Sequence, residues 1–404
     1  MKRRAPVVRT HLVCLALAGP ALAAQAAGFA TTDKSAAAMG VAGSATARAE
    51  DPGVAAYNPA AALMQPGLHF AAGTLLAAPS LSASGAGVEA STDGGVSTPP
   101  HVFARWSGEA WGAGLSATVP FGSQVAWPAD WARRFDVVEA RLSVLRLAAH
   151  AGWHDERWAL AGGAFVDVGT LELGRALDFV EVEGSAAIET HAVGVGVQLG
   201  AYGRVLDTLD VGLAYTSRSR LALSGWADFT TPPELRGRAQ DSEVTAELVL
   251  PDRLALGLLW RPAEGWDVSL DLELYLWSTV DELVLDFAVA SMSDSVQPRA
   301  WSATLAPRAG VTWAALEWLR LRGGLLVDPS PVPASTLGPT SPDSLRVGLA
   351  LGAGVALGAH VSLDVGYQLL VFTGQTSALE ASAGVRFGGV AHVAGASVAL
   401  AWGE

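Results

Sequence analysis

Residues capable of covalent or metal chemistry occur in this 404-residue chain, but their spacing assembles no reactive set. The histidines beyond the N-terminal leader (His69, His101, His150, His154, His191, His360 and His392) are scattered without metal-ligand spacing. The single cysteine, Cys14, lies within the leader, so the processed chain would carry no thiol, disulfide or cysteine ligand. Gly194/Gly196 and Gly352/Gly354 repeat at two-residue spacing, which suits strand packing and curvature rather than a phosphate loop. No Gly-x-Ser-x-Gly elbow is present. The expectation is a protein that is not an enzyme and needs no cofactor and no metal.

The informative side chains are indoles, whose chemistry is partition between water and an apolar phase. Nine of the 14 tryptophans flank short turns or the C-terminus. Trp106 and Trp111 bracket one turn, Trp153 and Trp158 a second, Trp260 and Trp266 a third, Trp313 and Trp318 a fourth. Trp402 stands two residues from the end. Indole gathers where one edge is wet and the other apolar. A ring of such residues at one end of many antiparallel strands is the aromatic girdle of a transmembrane β-barrel.

The elements that must carry this girdle can be read along the chain. Lys2, Arg3, Arg4 and Arg9, the apolar stretch Leu12–Leu22 and Ala24-Gln25-Ala26 form a secretory signal over residues 1–26, with processing before Ala27. Without the leader, 22 basic residues face 39 acidic ones, a formal charge of −17, which argues against a nucleic-acid partner. Half of the residues are hydrophobic, yet the longest uncharged runs, Val347–Ala359 and Gly388–Gly403, are glycine-rich and unlike a spanning helix. A closed barrel is the other structure that satisfies every backbone group in lipid.

Period-two alternation marks the strands. In Trp266–Leu276, apolar even positions alternate with Asp267, Ser269, Asp271 and Glu273. About 14 strands are expected by this pattern, even-numbered as in bacterial outer-membrane barrels. Their cores fall at 67–79, 100–107, 111–120, 138–153, 157–173, 188–203, 208–224, 251–261, 265–279, 300–314, 317–327, 343–357, 360–372 and 390–402. Short and long connections alternate, which places the tryptophan turns and both termini on the periplasmic side. Residues 27–66 do not alternate. Ser35–Gly40 and Asp51–Tyr57 read as helical turns, the second with Asp51 as N-cap and Pro52 at the first helical position. An ordered segment of this kind is expected to fill the lumen as a hatch, with residues 67–404 forming the barrel.

Ala27-Gly28-Phe29, Ala38-Met39-Gly40 and Tyr57-Asn58-Pro59-Ala60 resemble the FadL-type outer-membrane transporters of long-chain fatty acids and other hydrophobic compounds. Trp111–Gly122 with Trp131–Arg134, Leu250–Trp277 and Leu321–Arg346 match further landmarks of that family in order. The resemblance implies a 14-stranded barrel whose hatch contains Asn58, Pro59 and Ala60. It also implies a kinked third strand at Pro120, Phe121, Gly122 and Ser123, beside which a ligand leaves sideways into outer-membrane lipid. The expected activity is passive transport of hydrophobic molecules by a monomer in the bacterial outer membrane, through a lumenal pocket and movement of the hatch. Ligand-contacting residues are not specified by the sequence. The alternative is a general porin for small hydrophilic solutes, which would have no use for residues 27–66.

Overall fold

The computed structural model describes residues 28–179, 182–232, 240–289 and 292–403, so the leader expected at 1–26 lies outside the described residues. Alternating side chains commit the chain to strands that close into a barrel of 14 antiparallel staves. The staves are β1 (Gly67–Gly85), β2 (Val88–Ser91 and Pro100–Ser107), β3 (Trp111–Ala126), β4 (Glu139–His154), β5 (Trp158–Asp178), β6 (Glu183–Leu206) and β7 (Leu209–Thr216 and Ser219–Thr230). They continue as β8 (Ser242–Leu250 and Arg253–Ala263), β9 (Trp266–Tyr275 and Glu282–Phe287), β10 (Ser295–Pro298 and Thr304–Leu316), β11 (Leu319–Asp328), β12 (Arg346–Ala356), β13 (Val361–Thr376) and β14 (Arg386–Trp402). Each pairs with the next, and β1 pairs with β14 from Leu68↔Trp402 to Ser84↔Arg386. Closure joins the first stave to the last and so removes the terminal edges of the sheet.

All nine turn-flanking or C-terminal tryptophans point outward, with exposures from 37% to 64%. Trp266 and Trp313 stack across β9 and β10 with centroids 5.5 Å apart. By contrast Trp127, Trp131, Trp277 and Trp301 are at most 5% exposed and belong to the interior. The girdle is thus distinct in both position and solvation.

Several staves run further than alternation predicts. On β6, exposed Val193, Val195, Val197 and Leu199 give way on the same face to exposed His191 and Glu189, yet the ladder with β5 continues to Glu183. Pairing is a property of the backbone, whereas apolar alternation reports only the part of a face that meets lipid. The stretch 80–99, expected as loop, likewise holds the end of β1 and a hairpin to β2. Where β7 and β8 break, Asp252 of the Leu250-Pro251-Asp252 landmark holds them together. It accepts hydrogen bonds from the Tyr215 hydroxyl at 2.8 Å, the Arg218 N–H at 3.0 Å and Arg218 Nε at 2.8 Å.

Residues 28–66 lie inside this wall. Helical turns form at Ala36–Met39, capped by Ser35, and at Pro52–Ala56, where the Asp51 side chain accepts from the Gly53 N–H at 3.0 Å. A third turn, Ala61–Met64, carries no sequence signal of that kind. Inward glycines make room for the segment, because a Cβ would collide with it. Gly200 meets Asn58 and Pro59, Gly257 meets Thr46, Gly310 meets Ser44, and Gly352 meets Gly40. Glycine at those strand positions therefore permits close backbone approach.

Candidate functional site

Strand β3 interrupts its own wall. Its ladder with β4 shifts register between Thr118 and Phe121, a bulge containing Val119 and Pro120. Alternation collapses here into five successive buried residues, Thr118–Gly122. On the other side, the ladder with β2 ends at the rung Val102↔Ala117. The edge left beyond that rung is taken up by the start of the interior segment. Ala30 bridges Phe121, the Thr31 N–H donates to Pro120 O at 2.9 Å, and the Gly122 N–H donates to Phe29 O at 2.7 Å. The Thr31 hydroxyl donates to Val119 O at 2.9 Å. Proline has no N–H to offer a neighbour, and here its carbonyl is the group that is used.

Phe29, held by these bonds, enters an aromatic cluster. Its ring lies 4.8 Å from Trp301 and 6.1 Å from Trp277, and Phe121 meets the same Trp277 at 6.2 Å. Gly28, at φ +62°, could not carry a side chain, because a Cβ would stand 2.8 Å from Trp277. Its N–H donates to the loop carboxylate of Asp343 at 3.0 Å. Burial pushes the Asp343 carboxyl up to about 6, against the opposing pull of Arg346.

Beside the aromatic cluster is a lumenal pocket lined by Phe29, Ser123, Leu142, Leu171, Leu248 and Leu283, together with Arg141 and Arg299. Arg141 is already paired with Glu139 at 3.0 Å and Glu172 at 3.2 Å. Arg299 is buried and donates to the neutral Ser341 hydroxyl at 3.1 Å and Gln297 Oε1 at 3.0 Å. Among the described residues it forms no salt bridge. A buried guanidinium without a counter-charge is costly unless an anion is supplied. Leu173 and Thr340 line both this pocket and a second groove nearer the long loops, where Val137, Ile188, Phe229 and Phe287 converge.

The rest of the interior segment is fastened to the wall. Buried Asn58 donates to Thr46 O at 2.8 Å and Ala201 O at 3.0 Å, while its Oδ1 accepts from the Ala60 N–H at 3.0 Å. Glu273 lies between Arg253 and Arg308, and these arginines reach the segment's carbonyls at Tyr57 and Thr32. Toward the tryptophan end, a cavity of about 260 Å³ is lined by Glu50, Asp51, Glu317, Arg320, Arg322 and Asp364 among others. That end of the lumen is polar, in contrast with the pocket above.

The family model described as "Outer membrane protein transport protein (OMPP1/FadL/TodX)" matches residues 17–402. The chain belongs to this family. It is accordingly a transporter of hydrophobic compounds in the bacterial outer membrane, and not an enzyme. A FadL homologue from Pseudomonas aeruginosa superposes with a TM-score of 0.83 at 17% identity, covering 93% of this chain and 100% of that one. The Pseudomonas putida toluene transporter TodX gives 0.73 at 16% identity, over 93% and 99%. The Ralstonia pickettii toluene transporter TbuX gives 0.70 at 18%, over 90% and 97%. No curated protein matches in direct sequence comparison.

Within this FadL-type barrel the expected site residues fall into two places. Pro120, Phe121, Gly122 and Ser123 surround the break in β3, although Pro120 does not end the strand as the expected core 111–120 had it, since pairing resumes to Ala126. Asn58, Pro59 and Ala60 sit apart from them, against Gly200 on β6. The two groups belong to one continuous segment but not to one contact. Sequence reasoning missed Arg299, Trp277 and Trp301 as site residues. The two tryptophans could have been separated from the girdle, because neither adjoins a short turn.

Proposed function

We propose that the chain carries long-chain fatty acids, as a monomer, from the cell exterior into the outer leaflet of the outer membrane. The loop-side groove takes up the apolar chain and passes it to the lumenal pocket, where Arg299 supplies the counter-charge for its carboxylate. Full occupation of the pocket requires Phe29 to leave its place among Trp277 and Trp301. Because Phe29–Thr31 also covers the β3 edge, the same displacement uncovers the break, and the ligand leaves sideways. The carrying observation is that one three-residue stretch both lines the pocket and bonds to the bulge. The polar cavity toward the tryptophan end favours this route, since an apolar chain gains nothing by entering it. Residues 28–66 act as the hatch, with Asn58-Pro59-Ala60 among its fixed points.

A reversible cross-link tests the coupling. Ala30 and Phe121 form an antiparallel pair whose flanking hydrogen bonds make it the narrow, non-bonded type, with a Cα separation of about 4.5 Å, which suits a disulfide. In a background with Cys14 confined to the leader, Ala30→Cys with Phe121→Cys should transport labelled palmitic acid when reduced and stop when oxidised. Equal uptake in both states refutes the coupling of hatch and exit. The toluene transporters TodX and TbuX share the fold, but a hydrocarbon makes no use of Arg299.

A further inference from the structure

The outer surface beside the break carries a trough of about 790 Å³, within the range of a small-molecule site although it faces lipid. It crosses β2 to β6. Its floor is made of small outward residues, Ala149 and Ala164, and its sides of exposed Leu115, Leu147 and Val197. The floor and sides meet through the cross-strand rungs Leu115↔Ala149 and Ala149↔Ala164. Val102 and Ala117 also line it, and they form the last rung of the β2–β3 ladder before the break. The trough and the break therefore share a border. A barrel wall facing only bulk lipid has no need of a concavity here, since lipid tails offer no hydrophobic drive for one surface over another; what a concavity adds is van der Waals contact with a particular chain.

We propose that this trough is an exit track that receives the alkyl chain of the leaving ligand on the outer wall. It rests on the lateral-exit reading given above. The chain slides from the break over Val102 and Ala117 onto the alanine floor, so its methylenes exchange protein contacts for protein contacts before they reach free lipid. Apolar side chains alone line the track apart from Ser116, which suits an alkyl tail and excludes a headgroup.

The test uses the full-length protein in phosphatidylethanolamine–phosphatidylglycerol vesicles with a palmitic acid bearing a terminal diazirine, photolysed during uptake. Peptides carrying Leu115–Ala117 and Leu147–Ala149 should be labelled several-fold above the equally exposed Leu349 and Leu351 on β12. Ala149→Phe with Ala164→Phe, which fills the floor, should abolish that excess while leaving palmitate affinity in detergent unchanged. Labelling equal on both faces overturns the proposal. So does the same excess from a phospholipid carrying the diazirine, which would make the trough an ordinary lipid site. The supporting reading is tested separately: Pro120→Val with Gly122→Val should stop uptake. If it does and the parental labelling is uniform, only the track is wrong; if uptake persists, lateral exit at this position is wrong and the track falls with it.

Discussion

On the proposed reading, Arg299 is the residue at which a fatty acid and a hydrocarbon should part company. Replacing it with methionine removes a buried cation that pairs with no carboxylate among the described residues, so the barrel should lose little stability. Palmitate binding, measured by calorimetry in detergent, should weaken by about 1.5–3 kcal/mol, roughly tenfold to a hundredfold, the worth of a charge-assisted hydrogen bond. Binding of its methyl ester should be unchanged; an equal loss for both would show that Arg299 only shapes the pocket. Asn58→Leu has a different signature, because it strips partners from Thr46 O and Ala201 O. Ala201 O keeps its ladder partner Leu213, so the orphaned group is the Thr46 carbonyl, at a cost of about 1–3 kcal/mol; residues 28–66 should therefore become more susceptible to limited proteolysis while the barrel stays intact. Unchanged proteolysis would mean that Asn58 does not fasten the hatch. The Asn-Pro-Ala element singled out Asn58 in the sequence, and its role as a fastening point is what the proteolysis tests. Arg299 was not legible there, since its proposed role depends on the lack of a carboxylate partner among the described residues, and such an absence in space leaves no mark in the chain.

At the scale of elements, the hatch and β3 can be separated by deletion and by repair. Removal of residues 27–66 should leave a foldable barrel, because the wall closes through its own ladders, with a much raised conductance in planar bilayers. A deletion variant as silent as the parent would refute the plug. Repair acts on the other partner. Pro120→Val with Gly122→Val gives β3 the donor and side chains of an ordinary strand, so uptake should fall sharply with binding nearly intact. The hatch was legible as the one long stretch without alternation, and its first two helical turns through Ser35, Asp51 and Pro52. Its docking on β3 was not, because Phe29–Thr31 is too short to show a period. The seat of inward glycines was present in the sequence all along. Its meaning depends on which residues face inward, and that is fixed only by register.

For the whole molecule, orientation follows from the girdle. Cysteines introduced at Glu109, Glu156 and Glu264, beside the short turns, should resist an impermeant thiol reagent in intact cells, whereas those at Asp93 and Asp241 should react. The opposite pattern would invert the topology. The architecture was largely legible because lipid imposes its solvation rule on every outward position, as the nine exposed tryptophans display. Strand length was not, because that rule lapses where lipid ends.

That lapse has a physical consequence. A transmembrane strand needs only about 9–11 residues, yet β6 contains 24. At about 3.3 Å per residue its path is close to 80 Å, against a hydrocarbon band of about 25 Å. The surplus lies beyond Val193, where His191, Glu189 and Glu183 turn the outer surface hydrophilic while backbone pairing keeps it stiff. The barrel thus stands above its membrane like a chimney, water-compatible outside and apolar within. An oily molecule partitions poorly into a hydrated headgroup layer, and on the proposed route the chimney carries it past that layer.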